Sequence, residues 1–150
     1  IGIYGKYEKG GMILKIAVID GKGGGIGCQV IERLKSLKNS DIEIIALGTN
    51  SQATANMLKA GANDGATGEN AIVWMSNKAD VIIGPMAIIA ANSMMGEISP
   101  KMAEAISGSN AKKLLLPINK CNFEIIGLEN CQLKQLFDIL IEKIKMMLKK

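Results

Sequence analysis

At 150 residues the chain suits one domain that buries its core without a disulfide or metal staple. It is 48% apolar but only 3% aromatic, and its net charge of +4 is carried by lysines with Arg33 as the one arginine, which excludes disorder and speaks against nucleic-acid binding. The absence of histidine excludes His-ligated zinc and Ser–His or Cys–His catalysis.

The three cysteines, Cys28, Cys121 and Cys131, have spacings unlike any zinc site. They point to reduced thiols in a cytoplasmic protein with no metal centre. The first methionine is Met12. Residues 1–11 are set aside as a leader, residues 12–150 are read as one domain, and no signal peptide is expected.

In chain order, residues 13–20 (ILKIAVID) form a β-branched, apolar run that reads as a central strand. Residues 25–38 follow as a helix, with Ile26, Val30, Leu34 and Leu37 at helical spacing. Residues 42–48 give a second strand. Residues 51–61 give a helix capped by Asn50 or Ser51 and closed by Gly61. A short strand is expected near 64–66 and a helix over about 69–78. The apolar stretch 81–95 is interrupted by Gly84-Pro85 and is too short to span a membrane, so it reads as a buried strand (80–85) and a helical stretch (86–95). Ser99-Pro100 opens another helix, to about 107. Residues 112–119 and 123–128 (FEIIGL) read as further strands. The last helix places Leu133, Leu136, Phe137, Leu140, Ile141, Ile144 and Leu148 on one stripe. That stripe is read as packing on the sheet, with a homodimer seam as the alternative use.

Strands alternating with helices imply βαβ units. The expected fold is α/β: three-layer, doubly wound and Rossmann-like, with a mainly parallel sheet of five or six strands.

Residues 20–29, DGKGGGIGCQ, sit between the first strand and the first helix and hold five glycines in seven positions. A glycine turn lets the backbone approach a pyrophosphate closely, and the helix N-terminus behind it offers free N–H groups and a partial positive charge. Gly21, Lys22, Gly23, Gly24, Gly25, Ile26 and Gly27 are therefore the candidate phosphate contacts. A bare strand-to-helix turn is the alternative reading. Asp20 would repel a phosphate unless it hydrogen-bonds the loop's own N–H groups, which is the favoured reading; holding Mg²⁺ or a cationic group is the other.

The sheet's carboxyl edge is polar at Thr49 and Asn50 and again at Asn119, Lys120, Cys121 and Asn122. Ligands of open α/β sheets bind at this edge. Thr49, Asn50 and Asn119 are candidate contacts to the rest of a phosphorylated small molecule, with NAD, NADP or another nucleotide as the cofactor class. No catalytic set is complete. Glu69 and Glu97 are the available general bases and Cys121 the available nucleophile for an enzyme acting on a phosphorylated metabolite. A ligand-free oligomeric interaction module is the third reading.

The loop residues Gly21, Gly25, Ile26 and Gly27, followed by IERL at 31–34, resemble the glycine loop of short-chain dehydrogenases. The likeness covers the first βα unit only. The only tyrosines are Tyr4 and Tyr7, so the Tyr-x-x-x-Lys pair of that family is absent. GKGG at 21–24 also resembles the start of the phosphate loop of ParA-like ATPases. Ile26, Gly27 and Cys28 then stand where that loop needs glycine, lysine and Ser or Thr. Taken together, VIDGKGGGIG, IIALGTNSQAT, GANDGATGENAI, ADVIIGP, ANSMMGEISPKMAEAI and PINKCN resemble a family of small bacterial proteins that form a domain of unknown function. The likeness runs from about Ile13 to about Leu128. It implies a Rossmann-type, cytoplasmic protein and carries no reaction.

Overall fold

A computed structural model of the chain describes residues 13–118, 122–128 and 131–149. Its five strands are β1 (Leu14–Asp20), β2 (Ile42–Gly48), β3 (Asp64–Thr67), β4 (Val81–Pro85) and β5 (Lys112–Leu116). They form one parallel sheet in the order β3-β2-β1-β4-β5. The helices are α1 (Gly25–Ser36), α2 (Ser51–Lys59), α3 (Glu69–Ser76), α4 (Pro100–Gly108) and α5 (Leu133–Leu148).

The near-continuous apolar β1 can be central because both of its faces are covered. Leu14, Ile16 and Val18 pack with Ile44, Ala46, Val81 and Ile83 beneath α1, α2 and α5. Ala17 and Ile19 point the other way and pack with Ile45, Leu47 and Ile82 beneath α3 and α4. This is the three-layer α/β arrangement expected from the strand–helix alternation.

Most of the expected α5 stripe packs on the core: Phe137, Leu140 and Ile144 are buried, and Leu136, Ile141 and Leu148 are half-buried against them, while Leu133 is exposed and Met147, outside the expected stripe, is buried. The Arg33 guanidinium lies 4.2 Å over the Phe137 ring and ties α5 to α1. None of the described helices is long and apolar enough to cross a membrane.

Three expectations are corrected. Residues 123–128 form no strand: Ile125 and Ile126 are exposed, and a turn at Ile126-Gly127, with Gly127 at φ 99°, breaks the run. A β-branched run becomes a strand only where a ladder partner accepts it. The helical stretch expected over 86–95 is a single 3-10 turn, Met86–Ile89, followed by irregular chain. Asn92, Met94, Met95 and Gly96 there all have φ between 54° and 90°, which no helix accommodates. The strand expected to reach 119 ends at Leu116, because Pro117 has no N–H for a ladder.

From β1 the chain steps to β2 and β3 in one direction, then crosses to β4 on the other side of β1. Ligands of open α/β sheets bind at the carboxyl edge beside such a reversal of strand order, here between the loops after β1 and β4. The register places Asp20, Gly48 and Thr67 level at that edge.

Candidate functional site

The glycine loop joins Asp20 to α1, and its glycines do different jobs. Gly24 is the α1 N-cap at φ 73°, and a Cβ there would lie 3.0 Å from the Ala53 carbonyl oxygen. A Cβ at Gly21 would lie 2.6 Å from Met94 Sδ and 2.7 Å from Thr49 Oγ1. At Gly27 it would overlap the Met57 sulfur. Gly24 is required by its φ and by the Ala53 backbone behind it, while a side chain at Gly21 or Gly27 would have to displace Met94, Thr49 or Met57. Gly23 and Gly25 are different: neither has a left-handed φ, both are exposed, and an added Cβ would meet nothing within 4 Å.

Asp20 resolves the electrostatic question its position raised. Its carboxylate is buried and accepts hydrogen bonds from Gly21 N–H and Gly27 N–H, each at 2.8 Å. Burial pushes its pKa up from the ordinary aspartate value; the Gly27, Gly21 and Ile26 amides pull against that, and repulsion from Glu97 adds to the rise. Asp20 thus holds the turn together from below, as expected of a carboxylate serving its own loop. Gly24 N–H donates to the Gly21 carbonyl at 2.8 Å. No acceptor among the described residues meets the N–H groups of Gly23 and Gly25. They sit at the N-terminus of a 12-residue helix, where an anion is electrostatically favoured.

Beside them lies a second group of donors. Asn50 caps α2, its Oδ1 accepting from Ala53 N–H at 2.9 Å, while its Nδ2 donates to the Lys22 carbonyl at 2.8 Å and to Glu97 Oε1 at 2.7 Å. Thr49 Oγ1 donates to the same Glu97 oxygen at 2.7 Å, and Lys22 N–H donates to it at 3.1 Å. Asn56 Nδ2 holds the loop from the α2 side by donating to the Gly23 carbonyl at 2.8 Å. Thr49, Asn50 and the loop, picked from the sequence as ligand contacts, are thus brought together. Glu97, picked as a general base, is instead the acceptor at the centre of that group. Asn56 was missed: its spacing within α2 carries no sign of the loop it supports.

Burial is the largest single influence on Glu97 and raises its pKa, but the Thr49, Asn50 and Lys22 N–H hydrogen bonds and the Lys22 charge together outweigh it, so the carboxyl titrates below the usual glutamate range. A depressed acid stabilises the fold above its unfolded pKa, and that contribution is lost as pH falls through the folded one. Wild type should therefore be more stable than Glu97→Gln at pH 7, and the gap should close as denaturation is followed down below about pH 4. A gap that does not change with pH would show that the carboxylate's charge plays no part.

The remaining candidates lie elsewhere. Glu69 Oε2 accepts from Ser99 Oγ at 2.5 Å, which links the start of α3 to the N-cap of α4. Burial, with Glu32 and Asp20 nearby, pushes the Cys28 thiol up, so it is protonated at neutral pH. Cys28 and Cys131 are free thiols. Asn119, Lys120 and Cys121 lie outside the described residues.

Residues 15–149 match the family model described as a domain of unknown function, DUF3842. No curated protein matches the chain. Among solved structures, a universal stress protein in complex with cAMP is similar at 16% identity and a TM-score of 0.37, over 67% of this chain and 94% of that one.

Proposed function

We propose that this chain, which belongs to the DUF3842 family of unknown function, binds a phosphate-bearing small molecule at the carboxyl edge of its sheet. The phosphate sits on the Gly23 and Gly25 N–H groups at the α1 N-terminus. Lys22 N–H, Thr49 and Asn50 bind the neighbouring part of the ligand, and a nucleotide, NAD and NADP included, is the ligand class. The observation that carries this reading is the pair of glycines the fold does not need. Gly23 and Gly25 have open space over their Cα atoms and open N–H donors, at the carboxyl edge beside the reversal of strand order. A turn without a ligand needs neither, and each glycine costs conformational entropy on folding.

Thermal melting of purified protein with inorganic phosphate, AMP, ATP, NAD, NADP and FMN tests this. A ligand at 100 times its Kd adds about 2.7 kcal/mol of stability. Gly25→Val should change the stability of the free protein by less than about 1 kcal/mol, since its Cβ meets nothing, and should abolish the ligand shift. No shift with any of these compounds, or a shift untouched by Gly25→Val, would refute the reading.

A further inference from the structure

We infer that Glu97 is a built-in plug: its carboxylate occupies the place that an oxygen of the ligand, next to its phosphate, takes in the Lys22–Thr49–Asn50 cradle, and it must leave before that part of the ligand binds. The inference rests on the proposed ligand site and adds its regulation.

One oxygen, Oε1, takes three neutral donors from the loops after β1 and β2: Lys22 N–H at 3.1 Å, Thr49 Oγ1 at 2.7 Å and Asn50 Nδ2 at 2.7 Å. Glu97 forms no ion pair with a cation among the described residues. Such a set of oriented, uncharged donors is what a bound phosphate or carboxylate oxygen receives. At these distances a ligand oxygen cannot share the place with Oε1, and the carboxylate would repel a phosphate bound beside it. The exchange is conservative: when Glu97 swings out to water, the incoming ligand oxygen accepts the same three hydrogen bonds.

Glu97 is delivered by the segment between β4 and α4, which lies against the glycine loop. That segment is anchored at its ends, and within it Gly96 N–H donates to the Asn92 and Ser93 carbonyls and Glu97 N–H to the Met94 carbonyl. Ile98 and Met94 are buried, Asn92 N–H donates to the Ile98 carbonyl at 2.7 Å, and Ser93 Oγ donates to the Ala87 carbonyl at 2.5 Å. Met95 is 93% exposed and Gly96 is exposed, so the side chains beside Glu97 on its N-terminal side face water. The three side-chain-bearing residues Asn92, Met94 and Met95 all have left-handed φ, a conformation that persists only where surrounding contacts hold it. A Cβ at Gly21 would lie within 3.3 Å of both Met94 Sδ and Glu97 Oε1, so the segment presses on the first residue of the glycine loop.

Calorimetric titration with inorganic phosphate and with AMP tests the plug in wild type, Glu97→Ala, Glu97→Gln and the control Glu104→Ala, an exposed carboxylate on α4. Glu97→Ala should bind AMP about tenfold or more tightly than wild type, because the closed state no longer competes. Glu97→Gln should bind more tightly in the same direction and keeps the side-chain volume if the alanine variant folds poorly. Adding Thr49→Val to Glu97→Ala should remove the gain. Equal or weaker binding by both Glu97 variants, beside a wild type that binds, would overturn the plug and leave the ligand site standing. The same gain in Glu104→Ala would also overturn it, by making the effect one of net charge. No binding by any variant would bring down both the plug and the site.

Discussion

Asp20→Ala should destabilise the protein by about 2–4 kcal/mol, the cost of leaving buried amides without an acceptor. Gly21 N–H and Gly27 N–H both end on this carboxylate at 2.8 Å, and both glycines are buried, so water cannot replace the lost acceptor without opening the turn. Part of the loss is offset because a buried carboxylate is itself costly, which is why its pKa is raised. Urea denaturation reads the difference as a lower midpoint with an unchanged slope. Hydrogen exchange should quicken first at Gly21 and Gly27, before the β1 amides. A change below about 0.5 kcal/mol would mean that the loop holds its shape without Asp20, as an ordinary surface substitution would allow.

Phe137→Ala should cost about 3–5 kcal/mol, the range for emptying a fully buried aromatic site. Phe137 is the one aromatic ring in the core of the described residues; Trp74 and Phe123 are exposed. It fills the space between α1, α5 and the sheet, and Arg33 lies over its face. The surrounding aliphatic chains cannot collapse into a ring-sized void without moving α1. Because α1 carries the glycine loop at its start, the same variant should also weaken ligand binding, although Phe137 stands far along the chain from the site. A loss under about 1 kcal/mol would mean that α5 is not part of the cooperative unit.

The sheet was legible because its physics is local. A run such as LKIAVID, with β-branched and apolar side chains throughout, suits only a strand covered on both faces. Asn50 and Ser99 announced α2 and α4 as N-caps, and both side chains accept the expected amide. FEIIGL misled because a strand's existence depends on a ladder partner, which periodicity does not reveal. The segment after β4 misled because MAIIAANSMM is apolar enough for a helix. Its course is set instead by Met94 and Ile98 packing into the core and by Glu97 reaching the cradle. The loop itself was readable as a phosphate-type turn. Which glycines the fold consumes and which it leaves open is a tertiary matter, decided by Ala53, Met57, Thr49 and Met94 from other elements. Glu97 was visible as a carboxylate, but its role depends on three donors from separate loops, and no spacing in the chain encodes that meeting.

The most direct test of the ligand site is the amide proton–nitrogen correlation spectrum with AMP added stepwise. The Gly23 and Gly25 cross-peaks should move farthest and give one common Kd, while Gly21 and Gly27, still bonded to Asp20, move less. If those two amides stay in place, or the largest movements fall elsewhere on the molecule, the glycine loop is only a turn.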